Sequence, residues 1–258
     1  MTAADQSRYT CLITGAAGGI GVALAKAFHK AGYCVIATDI GVKPESLSCS
    51  RYVQADLACF AEDETYAAKV IADLHQALNG HGLHALINNA AVQILGGTES
   101  LTRQDWRTTL DVNLLAPFLL IQALLPELEA AKGCVVNIGS IHAHQTKRNF
   151  VAYAASKAAL AGMTRALAID LGSRVRVNAI EPAAIETEML NAGFAGKPEL
   201  YAKLERCHPQ QRLGQPEEVA NLALAIVGGG MNFLHGACIG LDGGISSSLF
   251  DPGSINGL

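Results

Sequence analysis

Cys134-Val-Val-Asn-Ile-Gly-Ser140 and, after a polar connection, Tyr153-Ala-Ala-Ser-Lys157 form the stretch on which the fold turns. The first part is an apolar run of the kind that fills a buried parallel strand. It drops at once into Gly139-Ser140, which sets a hydroxyl at the carboxyl end of that strand, the edge along which open α/β sheets bind ligands. The second part opens a helix rich in Ala and Leu, so Tyr153 and Lys157 stand one turn apart on one face. That pairing has a chemical use. An unperturbed tyrosine titrates near pH ~10, and bringing it to about 7–8 takes roughly 3–4 kcal/mol in favour of the phenolate. The sequence predicts that Lys157 supplies part of it.

Outward from this stretch, residues 10–14 read as a strand, Gly15-Ala-Ala-Gly-Gly19-Ile20-Gly21 follows it, and a helix reaches about Ala31, with Gly32 placed to end it. Strand, glycine turn and helix in that order put bare backbone amides and the positive end of a helix dipole where a pyrophosphate can sit. A second strand, residues 34–39, ends in Asp39, about 20 residues past the loop, where a carboxylate accepts hydrogen bonds from an adenosine ribose. A 2′-phosphate about 4 Å from that carboxylate would meet roughly 4 kcal/mol of repulsion per charge pair at an effective dielectric of ~20. No Arg lies in the glycine loop or at 40–42, and Lys43 is the one nearby cation in sequence. The predicted cofactor is NAD, ahead of NADP.

Further strands are read at 51–57, 84–91, 174–180 and 237–241, and helices over 62–79, 111–128 and onward from Pro216. Thr102 followed by Asp105 resembles a capping box at a helix start. The alternation of strands and helices is unbroken by repeats or linkers. It predicts an α/β fold: a single doubly wound parallel sheet with helices on both faces, forming one dinucleotide-binding domain over residues 1–258.

Composition agrees with a compact enzyme. At 258 residues a chain buries roughly 70–75% of its extended surface. Half the residues are apolar and only 16% are charged, which excludes a disordered chain. The net charge of −4 comes without a basic cluster, so nucleic acid is not an expected partner. Seven cysteines, none in a Cys-x-x-Cys pair and most within apolar runs, predict buried reduced thiols and neither disulfides nor a zinc site. Residues 1–9 lack the apolar core of a signal peptide, and no run of about 18 apolar residues occurs, so the expectation is a cytoplasmic protein with no membrane partner. The low charge, with long Ala/Leu-rich helical stretches at 110–128 and 151–171, predicts a homo-oligomer, tetramer or dimer.

The run Asn137 to Ser140 followed by Tyr153 to Lys157 resembles the active-site segment of the short-chain dehydrogenase/reductase family. Further motifs of that family appear in order: T-G-x-x-x-G-x-G from Thr14, the acid at Asp39, Asn88-Asn89-Ala90-Ala91, Asp111-Val-Asn113, Pro182 with Thr187, and Asp242-Gly-Gly244. The resemblance implies reversible hydride transfer between a nicotinamide and an alcohol or ketone. It implies Tyr153 as general acid/base, Ser140 as holder of the substrate oxygen, and Lys157 as the group that lowers the phenol and binds the ribose. Asn113 is implied to hold a water that relays protons. Cofactor contacts are implied at Gly15, Gly19, Ile20, Gly21, Asp39, Asp56, Leu57, Asn89, Tyr153, Lys157, Pro182, Ile185 and Thr187. Ala91 and Ala183 stand where the family has glycine, a departure that matters wherever the backbone needs a positive φ. No metal is implied.

For the substrate, Gln93 and His142 resemble the pattern of 3-hydroxybutyrate dehydrogenases, which set a Gln and a His against a carboxylate. Their lysine three residues before the tyrosine is replaced by Phe150, with Arg148 nearby. A helical stretch over 188–213 reads as a substrate lid. The substrate expected is a secondary alcohol or ketone, a small hydroxy acid among the candidates. A 3-oxoacyl thioester reductase is the alternative enzyme, and a non-catalytic NAD(H)-binding regulator the alternative outside catalysis. Gly228 to Gly230 has no functional reading.

Overall fold

The computed structural model describes residues 9–248; the polar N-terminus and the end of the Ser/Gly-rich tail lie outside them. Strands β1 (Tyr9–Thr14), β2 (Tyr33–Asp39), β3 (Arg51–Gln54), β4 (Ala85–Asn88), β5 (Cys134–Ile138), β6 (Arg176–Pro182) and β7 (Cys238–Leu241) form one sheet in the order β3-β2-β1-β4-β5-β6-β7. Every pairing is parallel. The chain builds outward from β1 to β3, returns to β4 and builds the other way, so the reversal opens a crevice at the carboxyl ends of β1 and β4.

The helices are α1 (Gly19–Lys30), α2 (Leu57–Glu62), α3 (Glu64–Leu78), α4 (Arg103–Leu110), α5 (Ala116–Ala123), α6 (Leu125–Ala130), α7 (Val151–Leu171), α8 (Glu188–Gly193), α9 (Pro198–Arg206) and α10 (Pro216–Val227). Both faces of the sheet are covered, which is why its central strands read as mostly apolar runs without alternation. Leu12, Leu86, Val135 and Val177 point to one face, with Leu74, Leu120 and Leu167. Ile13, Ile87, Val136 and Ile180 point to the other, with Leu24, Phe28, Val219 and Ala223. Each such side chain contributes about 1.5–3 kcal/mol on burial.

Of two helices expected to be continuous, one forms and one is broken. The helix expected over 62–79 forms as α3, starting at Glu64 because the Asp63 carboxylate caps it, accepting from the amides of Thr65 at 2.8 Å and Tyr66 at 3.1 Å. The stretch 111–128 contains Pro117 and Pro126. A proline has no N–H to donate to the preceding turn, and the chain accommodates the first by a π turn over Asp111–Leu115, where the Ala116 amide reaches back to Asp111. The second separates α5 from α6 at Leu124. The Thr102–Asp105 capping box forms as expected. Of the seven free cysteines, Cys11, Cys34 and Cys134 are buried, whereas Cys59 and Cys207 are exposed, because Cys59 lies on the outer side of α2 and Cys207 at the end of α9.

Polar side chains inside the sheet set the register of α7. Asn88 donates to Asn137 at 2.8 Å, and Asn137 donates to Thr164 of α7 at 2.9 Å, all three being buried. Polar groups out of water are costly unless paired, so this chain of contacts ties the tyrosine-bearing helix to the end of β5.

Candidate active site

The glycine loop is built for an anion. Gly18 begins α1 without a side-chain cap, and no acid stands in the first turn, so its leading amides face outward unpaid by side chains. By contrast α2, α3 and α4 are each capped by Asp56, Asp63 and Thr102. Gly15 has φ +62, and a Cβ there would lie 2.7 Å from Ala90 Cα. Asn89 closes the loop from β4: its side chain donates to the carbonyls of Thr14 at 3.0 Å and Gly15 at 2.9 Å. Asp39 closes it from β2, its Oδ2 accepting from the Ala17 amide at 2.8 Å. Thr187 covers it from above, its Cγ2 standing 2.8 Å from where a Cβ on Gly19 would be. Pro182 ends β6, and Ile185 is buried and pinned opposite Gly214. Asp56 spends Oδ1 on the Ala58 and Cys59 amides at the start of α2, with Leu57 buried beside it. These uncapped amides and the side-chain-free cradle fit a dinucleotide.

The catalytic candidates converge at the end of β5. Ser140 is buried, and its Oγ accepts from the His142 amide at 3.2 Å. Its own proton is thereby left to donate, and the Tyr153 phenol is its partner. Lys157, almost fully buried, donates to the Ile138 carbonyl at 2.8 Å, with Nζ 5.7 Å from the Tyr153 ring centroid. Asn113 lies in the π turn, buried. Its carboxamide accepts from the Val92 amide at 2.8 Å and donates to the Val92 carbonyl at 2.9 Å and to Ser156 at 3.0 Å. Ser156 in turn donates to the Tyr153 carbonyl at 2.7 Å. Ser156, a small hydroxyl one residue before the lysine, is thus a further member of the site that no motif marks.

Two opposing effects act on the phenol before any cofactor binds. Burial pushes Tyr153 up, and the Ser140 hydrogen bond pulls it down. The Lys157 ammonium is itself desolvated and its pKa falls to about 8, so it still carries its charge at neutral pH.

His142 stacks on Phe150, ring centroids 4.4 Å apart, and both meet Tyr153 edge-on at 5.6 and 6.1 Å. Gln93 is exposed on the loop after β4. That loop is drawn to the same wall by the Gly96 amide, which donates to Asn149 at 2.8 Å. Burial and Lys147 lower the His142 pKa. Arg148 is exposed in the connection.

A family model described as enoyl-(acyl carrier protein) reductase matches residues 15–246. Protein FixR of Bradyrhizobium diazoefficiens is 37% identical over 247 residues, 90% of this chain and 85% of its own length. The D-threitol dehydrogenase of Mycolicibacterium smegmatis is 35% identical over 240 residues, 90% and 91% of the two chains. This chain is a short-chain dehydrogenase/reductase. Among solved structures of the family, a putative NAD(P)-dependent gluconate 5-dehydrogenase from Beutenbergia cavernae with bound NADP superposes with a TM-score of 0.83 at 31% identity, covering 94% of this chain and 98% of that one. The chain is thus an oxidoreductase with a nicotinamide cofactor and a small-molecule alcohol or ketone substrate.

The two alanines that depart from the family's glycines cause no strain in this short-chain dehydrogenase. Among the described residues the positive-φ positions other than glycine are Asn79, Lys132, Asn149 and Gln211, and neither Ala91 nor Ala183 is among them. Gly228 ends α10 in extended conformation; Gly229 and Gly230 have open space around them, and nothing in the structure explains them. Among the described residues no helix is long and apolar enough to cross a membrane, and no group of three or more metal-ligating side chains comes together.

Lys157 gives the reductase a pH signature. Its pKa falls from 10.5 to about 8 on folding. Below pH ~8 both states are protonated and the cost of the buried charge stands in full, roughly 3 kcal/mol; between about 8 and 10.5 the unfolded chain binds more protons, so stability rises with pH. Lys157→Met is expected to exceed the cofactor-free parent in urea at pH 7, with the difference shrinking at pH 9.5. A difference independent of pH would show that the amine is not desolvated.

Proposed function

We propose that this chain is an NAD-preferring dehydrogenase of neutral secondary alcohols and polyols. The observation that carries the cofactor reading is the placement of Asp39 at the end of β2, one carboxylate oxygen on the Ala17 amide of the glycine loop. Lys43, the one nearby cation in sequence, sits against Cys49, where its charge lowers that thiol against the effect of burial, and so is turned to another group. For the substrate, the wall beside Tyr153 carries Phe150 where a hydroxy-acid enzyme of the family would carry lysine, and a desolvated His142 is a poor cation for a carboxylate.

The bound cofactor supplies the hydride acceptor at C4 of its nicotinamide. Tyr153 takes and returns the proton of the substrate oxygen at its phenol. Ser140 donates to that same oxygen and stabilises the charge developing on it. Lys157 keeps two protons beyond the one given to Ile138, enough for phenol and ribose. The Asn113 side chain is consumed by Val92 and Ser156, so its relay role falls to its main-chain carbonyl, which Pro117, having no N–H, leaves without the usual helical partner.

Fluorescence titration with NADH and NADPH tests the cofactor: NADH is expected to bind roughly 100- to 1000-fold tighter, from the repulsion of about 4 kcal/mol less counter-ion screening. Equal binding would sink the claim. Asp39→Ala is expected to narrow the ratio and also to weaken NADH, since the glycine loop loses a brace. A screen of polyols, cyclic alcohols, hydroxy acids and β-hydroxyacyl thioesters tests the substrate; fastest turnover of a thioester would favour the acyl reductase instead. We also propose a homo-oligomer, supported by exposed apolar side chains on and beside α5 and α7, Ile169 at 86%, Val151 at 42%, Leu115 at 38% and Phe118 at 36%. Light scattering is expected to give a dimer or tetramer, and a stable monomer at micromolar concentration would refute it.

A further inference from the structure

We infer that His144 is a positioning residue for Ser140, anchored by the buried carboxylate of Glu181. The inference rests on the reading that Ser140 holds the substrate oxygen.

Ser140 and His144 are the two ends of one short 3-10 turn: Ser140 begins it, Ile141–Ala143 forms it, and His144 closes it. The turn's own bonds are local, the Ala143 amide on the Ser140 carbonyl at 2.9 Å and the His144 amide on Ile141 at 3.0 Å. What fixes it to the sheet at its far end is the contact from His144 Nε2 to Glu181 Oε2 at 2.8 Å. At its near end the Gly139 amide donates to Ile180 at 2.7 Å, and a Cβ on Gly139 would stand 3.0 Å from Glu181 Cγ. Glu181 thus lies behind Gly139, next to Ser140, and holds the far end of the turn while Ile180 holds the near end.

Glu181 is 4% exposed, and its second oxygen, Oε1, is buried without a hydrogen-bond partner. The other ionisable groups facing this pocket are Cys238 of β7, whose thiol burial and Glu181 together raise, and Arg165 of α7, whose charge opposes them and which lies 3.8 Å from the Cys238 sulfur. A carboxylate kept out of water, with no partner among the described residues beside His144 except the weakly donating Cys238 thiol, is a costly way to fill space; an apolar side chain of similar volume would pack as well or better. Buried unsatisfied groups that persist call for a reason other than stability. Holding the turn that carries Ser140 is such a reason, because a misplacement of about 1 Å costs on the order of 100-fold in rate.

The test uses the full chain and two readouts. Because Ser140 hydrogen-bonds the Tyr153 phenol, the Tyr153 absorbance titration, isolated as the difference from Tyr153→Phe, is expected to move to higher pH in Ser140→Ala and likewise in His144→Leu. It should return in His144→Gln, whose amide donates to the same carboxylate oxygen. With NAD and D-threitol, or the fastest alcohol from the screen, His144→Leu is expected to lose about 10- to 100-fold in kcat with NADH affinity unchanged. Adding it to Ser140→Ala should cost nothing more, since the two act through one contact. A parental phenol titration in His144→Leu, or losses that multiply in the double variant, would overturn the inference. Full turnover in Ser140→Ala would overturn the underlying role of Ser140 instead, and is distinguishable because the phenol shift of His144→Leu does not depend on turnover.

Discussion

Tyr153→Phe is expected to cut turnover by roughly 10²–10⁴ while leaving cofactor affinity nearly intact. The substitution removes one oxygen and little else: the ring keeps its edge-on contacts with His142 and Phe150. Lys157 is held by the Ile138 carbonyl and not by the phenol, so it stays where a ribose would meet it. The loss is therefore confined to proton transfer. The pH profile follows from the same contacts. With burial pushing the phenol up, the cofactor-free protein keeps Tyr153 protonated beyond its ordinary range. Carbonyl reduction, which needs the acid, is favoured at neutral pH, and alcohol oxidation gains as pH rises. Single-turnover kinetics with NADH binding measured in parallel decide the matter; turnover that survives in the Phe variant would assign the proton to another group.

Gly21→Ala is expected to abolish cofactor binding and to destabilise the protein by about 2–3 kcal/mol, the upper part of the range for forcing atoms into a packed site. The added Cβ would lie 2.0 Å from the Gly15 carbonyl oxygen and 2.7 Å from Ala16 Cα. Both obstacles are backbone, so no side chain can swing aside. The loop must shift, and it is tied to Asn89 and Asp39 and continues directly from Thr14, whose hydroxyl accepts from the Ala90 amide, so the displacement spreads to the ends of three strands. Thermal unfolding is expected to drop by roughly 5–10 °C, with no NADH fluorescence enhancement. Gly229→Ala, where a Cβ meets nothing within 4 Å, is the control and should leave both unchanged; a parental affinity in Gly21→Ala would mean the cradle does not hold the cofactor.

The strands were legible because a sheet covered on both faces writes itself as short apolar runs, and the order of Gly15, Asp39, Ser140 and Tyr153 along the chain could be read before any contact was known. Local chemistry misled where two signals competed. The apolar pattern of 111–128 outweighed Pro117 and Pro126, although a missing amide is decisive whatever the hydropathy. The tyrosine–lysine spacing could be read from the sequence and the desolvation of both groups could not, since desolvation depends on what covers a residue and not on its neighbours in sequence. His144 and Glu181 lie 37 residues apart, and no periodicity joins them; the charge within the last apolar strand before Pro182 was the one visible sign.

The bridge between Gly96 and the Asn149–Phe150 segment bears on how this pocket can be altered. Two loops distant in the chain share one seam, and Asn149 adopts φ 69 to make it, a conformation few side chains other than Gly, Asn and Asp accept. Selectivity is accordingly a joint property of both loops. A chimera that imports only the segment after β4 or only the one before α7 inherits half a seam, so breeding a new preference into this scaffold calls for exchanging the two as a cassette.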